Sequence, residues 1–238
     1  MDRSDTVSDN STQLQSNDPY RRALHAAWHA QSDPAIMVYE RLVVWKGMPT
    51  HRYGARPKQA NEGLHEALSA HFSICVYESN PLYAVFCTVG ASRKMIPHSD
   101  VSTRDPRGMR FEYLMHAPPE HAELVCAYLL DIAEHPHIHQ REIGPGYVMP
   151  IGEPIVPDSA IEYLYFTYPF LDDPHIAEVN PAGEIDHPRA YIQTLWVVPM
   201  TRGERDYLRT NGVEAFEEFL HRSHSVRYDA GFDRASYR

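Results

Sequence analysis

The sequence predicts an α+β fold, a mainly antiparallel or mixed sheet packed with helices. Two β-rich apolar stretches point to the sheet: Phe86-Cys87-Thr88-Val89-Gly90-Ala91-Ser92 leading into Arg110-Phe111-Glu112-Tyr113-Leu114, and Leu195-Trp196-Val197-Val198-Pro199. Segments of helical spacing fall irregularly between them, with no parallel βαβ repeat. An explicit helix start at Thr201 and Glu204 completes the pattern.

In chain order, Met1 to Asp18 is Ser, Asp, Asn, Thr and Gln with almost nothing to bury, which predicts a disordered tail before one domain over 19–238. Pro19 suits a first helical turn, and Leu24, Ala27 and Trp28 form a stripe, so a short helix to about Ala30 is expected. Ile36 to Trp45 reads as a strand, Arg52 to Pro57 as a loop, and Ala60 to Phe72 as an amphipathic helix through Leu64, Leu68 and Phe72. Phe72 to Tyr77 and Leu82 to Val89 flank Ser79-Asn80-Pro81, the signature of a hairpin. Ser99 to Gly108 is a polar loop and Arg110 to His116 a further strand.

Pro118 and Pro119 then open a helix, with Glu120 and Glu123 at its positive end. Its buried face is Leu124, Val125, Tyr128, Leu129 and Ile132, and Pro136 is expected to stop it. Glycines and prolines crowd Ile143 to Pro157, which predicts turns instead of regular structure. Ile161 to Phe170 is an aromatic strand, Asp172 to Pro188 a polar loop, and Ala190 to Pro199 another strand. Thr201 and Glu204 form a reciprocal capping pair: the threonine hydroxyl takes the third amide and the glutamate returns to the cap amide. Asn211-Gly212 ends that helix, and Val213, Phe216, Phe219 and Leu220 carry a second.

Bulk properties narrow the function. With 22 Lys and Arg against 32 Asp and Glu, the net charge of −10 argues against nucleic acid or anionic membrane as ligand, since both need a basic footprint. It suits a basic partner, although acidity also serves plain solubility. Cys75, Cys87 and Cys126 sit in apolar runs without paired spacing, as reduced core thiols do. No run is apolar enough to span a bilayer, and the N-terminus lacks the basic-then-apolar order of a signal peptide. A cytoplasmic protein is the expectation.

Candidate chemistry is sparse. His135, His137 and His139, with Glu142 behind them, could converge on a metal ion if the segment were extended, where alternate residues share a face. A polar, solvent-exposed linker after the helix is the preferred explanation, since no second ligand group stands at recognisable spacing. Gly90-Ala91-Ser92 lacks the second glycine of a nucleophile elbow, Cys87 lies inside an apolar strand, and no phosphate-binding glycine loop occurs. Glu112 reads as a buried, hydrogen-bonded carboxylate and Glu204 as a capping residue. The aromatics from Tyr163 to Phe170 read as half core and half solvent face, with a recognition groove as the competing role. No catalytic residue and no cofactor is assigned.

These motifs, in this order, resemble the suppressor-of-fused domain family. The likeness rests on Thr88-Val89-Gly90, on Phe111-Glu112-Tyr113-Leu114, and on Pro199-Met200-Thr201, Glu204-Arg205, Tyr207-Leu208 and Gly212. Tyr147 to Pro157 and a closing segment from Asp229 through Arg234 to Ser236 agree, so about residues 35 to 236 are covered. The resemblance implies an α+β domain without known catalytic residues. The animal member sequesters a transcription factor by clamping an extended peptide between this domain and a second, C-terminal one, so its binding residues are not carried over. Bacterial single-domain members accompany polymorphic toxin systems and are thought to be immunity proteins. The expected function is therefore non-enzymatic binding of a protein partner, most plausibly a cognate toxin. A metal-dependent hydrolase built on His135, His137 and His139 is the alternative, and a small-molecule sensor lined by Tyr163 to Phe170 a looser one.

Overall fold

The computed structural model describes residues 49–54, 72–80, 83–93, 109–139, 141–168, 178–179, 191–222 and 232. The expected tail, the helix from Pro19, the strand Ile36 to Trp45, most of the helix before Phe72, the Ser99 to Gly108 loop, Asp229 and Arg234 lie outside them.

Eight strands form one mixed sheet: β1 (His51–Gly54), β2 (Ser73–Asn80), β3 (Tyr83–Val89), β4 (Met109–Ala117), β5 (Val148–Pro150), β6 (Ile161–Thr167), β7 (Glu178–Val179) and β8 (Tyr191–Thr201). Their order across the sheet is β1-β2-β3-β4-β8-β6-β5, with β7 also on β8. The expected hairpin is β2–β3, in register with Cys75 opposite Cys87. Among the described residues β4 and β8 make the one parallel pair, Met109 opposite Tyr191 through Met115 opposite Val197. A parallel pair needs a long crossover, and the chain between them supplies a helix, β5, β6 and β7. Pro199 lies beyond Val197, the last β8 residue paired with β4, so its missing N–H costs no bond on that side.

Both faces of this sheet are covered, which explains why its strands read as nearly unbroken apolar runs. On one face Val76, Phe86, Phe111, Tyr113, Met115, Leu164 and Val197 pack with Val125, Leu129, Ile132 and Ala133 of α1 (Ala122–His139). On the other, Cys75, Val85, Cys87, Leu114, Tyr165, Trp196 and Met200 pack with Leu208 of α2 (Arg202–Asn211) and with Phe216 and Leu220 of α3 (Val213–Arg222). Each large apolar side chain buried this way contributes about 1.5–3 kcal/mol.

Four expectations are corrected. Pro136 does not stop α1, which runs on to His139. The proline removes a single N–H near the helix end, its own ring is buried, and the Arg141 amide closes the end on the Pro136 carbonyl at 3.2 Å. The supposed loop at Arg52 contains β1, paired with β2. The glycine- and proline-rich stretch contains β5, held on β6, with Ile143 and Ile155 buried as anchors. The polar loop after Asp172 contains β7. Each of these strands has only two to four residues, too short for its period to show above turn-forming neighbours.

Candidate functional site

The sequence motifs meet at two buried carboxylates. Glu112, on β4, is 1% exposed and turned toward the chain just after β3. There Gly90 takes a φ of 110°, which favours glycine, and a 3-10 turn follows over Ala91–Arg93. The turn aims successive N–H groups at one point. Oε1 of Glu112 accepts from the Gly90 amide (2.8 Å), the Ser92 amide (3.1 Å) and the Ser92 hydroxyl (2.6 Å). Oε2 accepts from the Thr88 hydroxyl (2.7 Å) and the Ala91 amide (3.2 Å). Thr88 Oγ1 also accepts from the Tyr113 amide at 2.7 Å, so its proton is free to point at the carboxylate. Arg110 donates to the Ser92 carbonyl at 2.8 Å.

This is a backbone anion nest filled by the chain's own side chain. Burial pushes the Glu112 pKa above the ordinary carboxylate range, while the Ser92 and Thr88 hydroxyls and the Gly90 and Ser92 amides pull it back. With both oxygens engaged by donors, Glu112 has no free lone pair with which to act as a base. Its work is to hold the turn to the sheet.

The second carboxylate repeats the logic locally. Thr201 is the N-cap of α2; its hydroxyl accepts from the Glu204 amide, and Glu204 accepts from the Thr201 amide at 2.7 Å. Glu204 is 4% exposed and also takes the Thr201 hydroxyl proton at 3.0 Å. Gly212, at a φ of 87°, closes α2 through its amide on the Leu208 carbonyl and opens α3 by accepting from the Phe216 amide. Tyr207 packs against Phe219, ring centroids 5.6 Å apart, which joins the two helices.

The histidines do not form the three-imidazole cluster of the alternative reading. On the helix, His135 and His139 are four residues apart, their rings tilted by 45° with centroids 4.4 Å apart, whereas His137 lies on the buried side at 8% exposure. Burial, together with the charges of His139 and Arg141, holds His135 below the usual imidazole range. Among the described residues no group of three or more His, Cys, Asp or Glu is placed to hold a metal ion. The convergent triad needed the extended backbone that Pro136 was expected to begin.

The aromatic strand divides as a two-sided strand must. Phe166 enters the α1 face and Tyr165 the α2–α3 face, while the Arg205 guanidinium lies 5.0 Å from the centroid of the Tyr163 ring. Tyr168, just past β6, is 41% exposed, and Val213, at the start of α3, is 44% exposed. Glu217 ties these elements together, accepting on Oε1 from the Thr167 hydroxyl (2.7 Å) and the Tyr165 hydroxyl (3.0 Å). Val213 also approaches the loop before β5, within 3.6 Å of where a Cβ on Gly146 would stand. Exposed Glu214 and Glu218 flank the same helix face as Glu217. The sequence placed Tyr168 in the aromatic strand and Val213 on the apolar face of the last helix, and it did not mark Glu217.

A family model described as "Suppressor of fused protein (SUFU)" matches residues 69–228, 160 of the 238. A suppressor of fused homologue from Neisseria gonorrhoeae FA 1090 superposes with a TM-score of 0.58 at 20% identity, over 85% of this chain and 95% of that one. A chain of the Sufu–Fu complex structure does so with a TM-score of 0.59 at 14% identity, over 87% of this chain and 92% of that one. Among curated proteins no significant sequence relative is found. These neighbours share the fold, and the chain belongs to the suppressor of fused family.

Proposed function

We propose, from membership of that family, that the chain is a non-enzymatic protein-binding domain whose partner is a cognate toxin, which it neutralises by covering it in the cytoplasm. The observation that carries the non-enzymatic part is that the buried carboxylates serve the chain itself: Glu112 accepts from its amides and hydroxyls on both oxygens, and Glu204 on Oε2. The Sufu–Fu structure is a complex of a neighbour with another protein, and protein binding by this chain is proposed on that likeness.

The binding surface we assign is the end of β6 with the adjoining face of α3. Exposed Tyr168 and Val213 supply apolar contact there, and Glu214 and Glu217 supply negative charge, joined by Glu218 where a partner's cation replaces its ion pair with Arg222. An aromatic anchor rimmed by acid suits a basic partner, and the net charge of −10 would speed its approach. The sheet edge beside it is less suited to accept a strand, because β5, paired with β6, is three residues long and Pro150 offers no N–H.

Affinity capture from the native cell at near-physiological salt tests the reading. It should recover a basic protein whose retention falls at least tenfold with Glu214→Lys and Glu218→Lys combined. Recovery of no protein, or retention indifferent to both reversals, contradicts it.

A further inference from the structure

We propose that His135 and His139 form a two-imidazole site for a borderline divalent metal ion, Cu(II), Ni(II) or Zn(II), clasping the last turn of α1 across Pro136. The geometry comes from the helix. Residues four apart lie one above the other on the same face, and the two rings already stand 4.4 Å apart centroid to centroid. A metal bound to imidazole nitrogens at about 2.0–2.1 Å can bridge rings at that spacing after small side-chain rotations.

Two further observations single out this pair. His135 Nε2 is buried and has no hydrogen-bond partner, an unmet polar atom that coordination would satisfy. Pro136, between the two histidines, removes the N–H that would bond to the Ile132 carbonyl, so this turn is one hydrogen bond short. An ion held by residues i and i+4 requires the helical conformation, and its binding therefore stabilises the turn that the proline weakens.

His137 takes no part, being buried on the far side of the helix with interactions of its own. Two protein ligands leave the other coordination positions to water, and no hydrolytic role is assigned to the ion. The exposed Arg141 charge nearby opposes the cation weakly, through solvent. Copper should bind more tightly than nickel or zinc, following the general order of divalent affinities.

The test uses the full-length, untagged protein with chloride salts of the three metals. Isothermal titration should show one Cu(II) equivalent, electron paramagnetic resonance should show imidazole nitrogen coupling, and the melting temperature should rise with metal. His139→Ala, at an exposed position, should fold normally by circular dichroism, weaken binding at least tenfold and abolish the melting rise. His51→Ala, at another exposed histidine that pairs with Glu78, should leave both unchanged. Equal binding by His139→Ala and the parent protein, or no binding by the parent at millimolar metal, overturns the proposal.

Discussion

Glu112 and Glu204 are the same residue type, buried to nearly the same degree and each wrapped in donors, yet they solve problems of different range. The partners of Glu204 lie three residues back, within its own helix turn. Those of Glu112 lie 20 to 24 residues back, on the far side of a loop. One carboxylate starts a helix. The other fastens a turn between two strands, so its loss should disturb the sheet and not merely a helix end.

Substitutions can sharpen that contrast. Glu112→Ala should have the largest effect, about 3–5 kcal/mol by urea unfolding, because it strands three amides and two hydroxyls in the interior. Gly90→Ala should follow at about 1–3 kcal/mol, since an L side chain is strained at that backbone angle. Thr201→Ala should cost about 1 kcal/mol through loss of the cap and leave partner affinity unchanged. A binding defect at unaltered melting temperature would instead place the cap in the interface. Arg202→Ala should have the smallest effect of the four, because its 2.7 Å bridge to Glu162 is exposed to solvent.

The same difference in range explains what could be read in advance. The capping box, the Asn211-Gly212 break and the β2–β3 hairpin are local patterns, and each stands where the sequence places it. That Glu112 is structural could be inferred from its place between Phe111 and Tyr113 on a strand. Its donors could not, because nothing in Gly90-Ala91-Ser92 says which distant acceptor the turn will meet. The histidines were misplaced for a related reason. Proline is a strong local stop signal, but near a helix end it forfeits one hydrogen bond, and burial of the Pro136 ring helps offset that loss. Tyr168 and Val213 were invisible as a pair because packing between β6 and α3, through Glu217, is what brings their elements together.

The most direct test is a double-mutant cycle in urea between Ser92→Ala and Glu112→Gln. If the carboxylate exists to bind the turn, the two losses must be coupled, with an interaction energy of about 1 kcal/mol or more. Simple additivity of the two, or a Glu112→Gln protein as stable as its parent, would contradict a structural role for the buried acid and reopen the question of chemistry at that position.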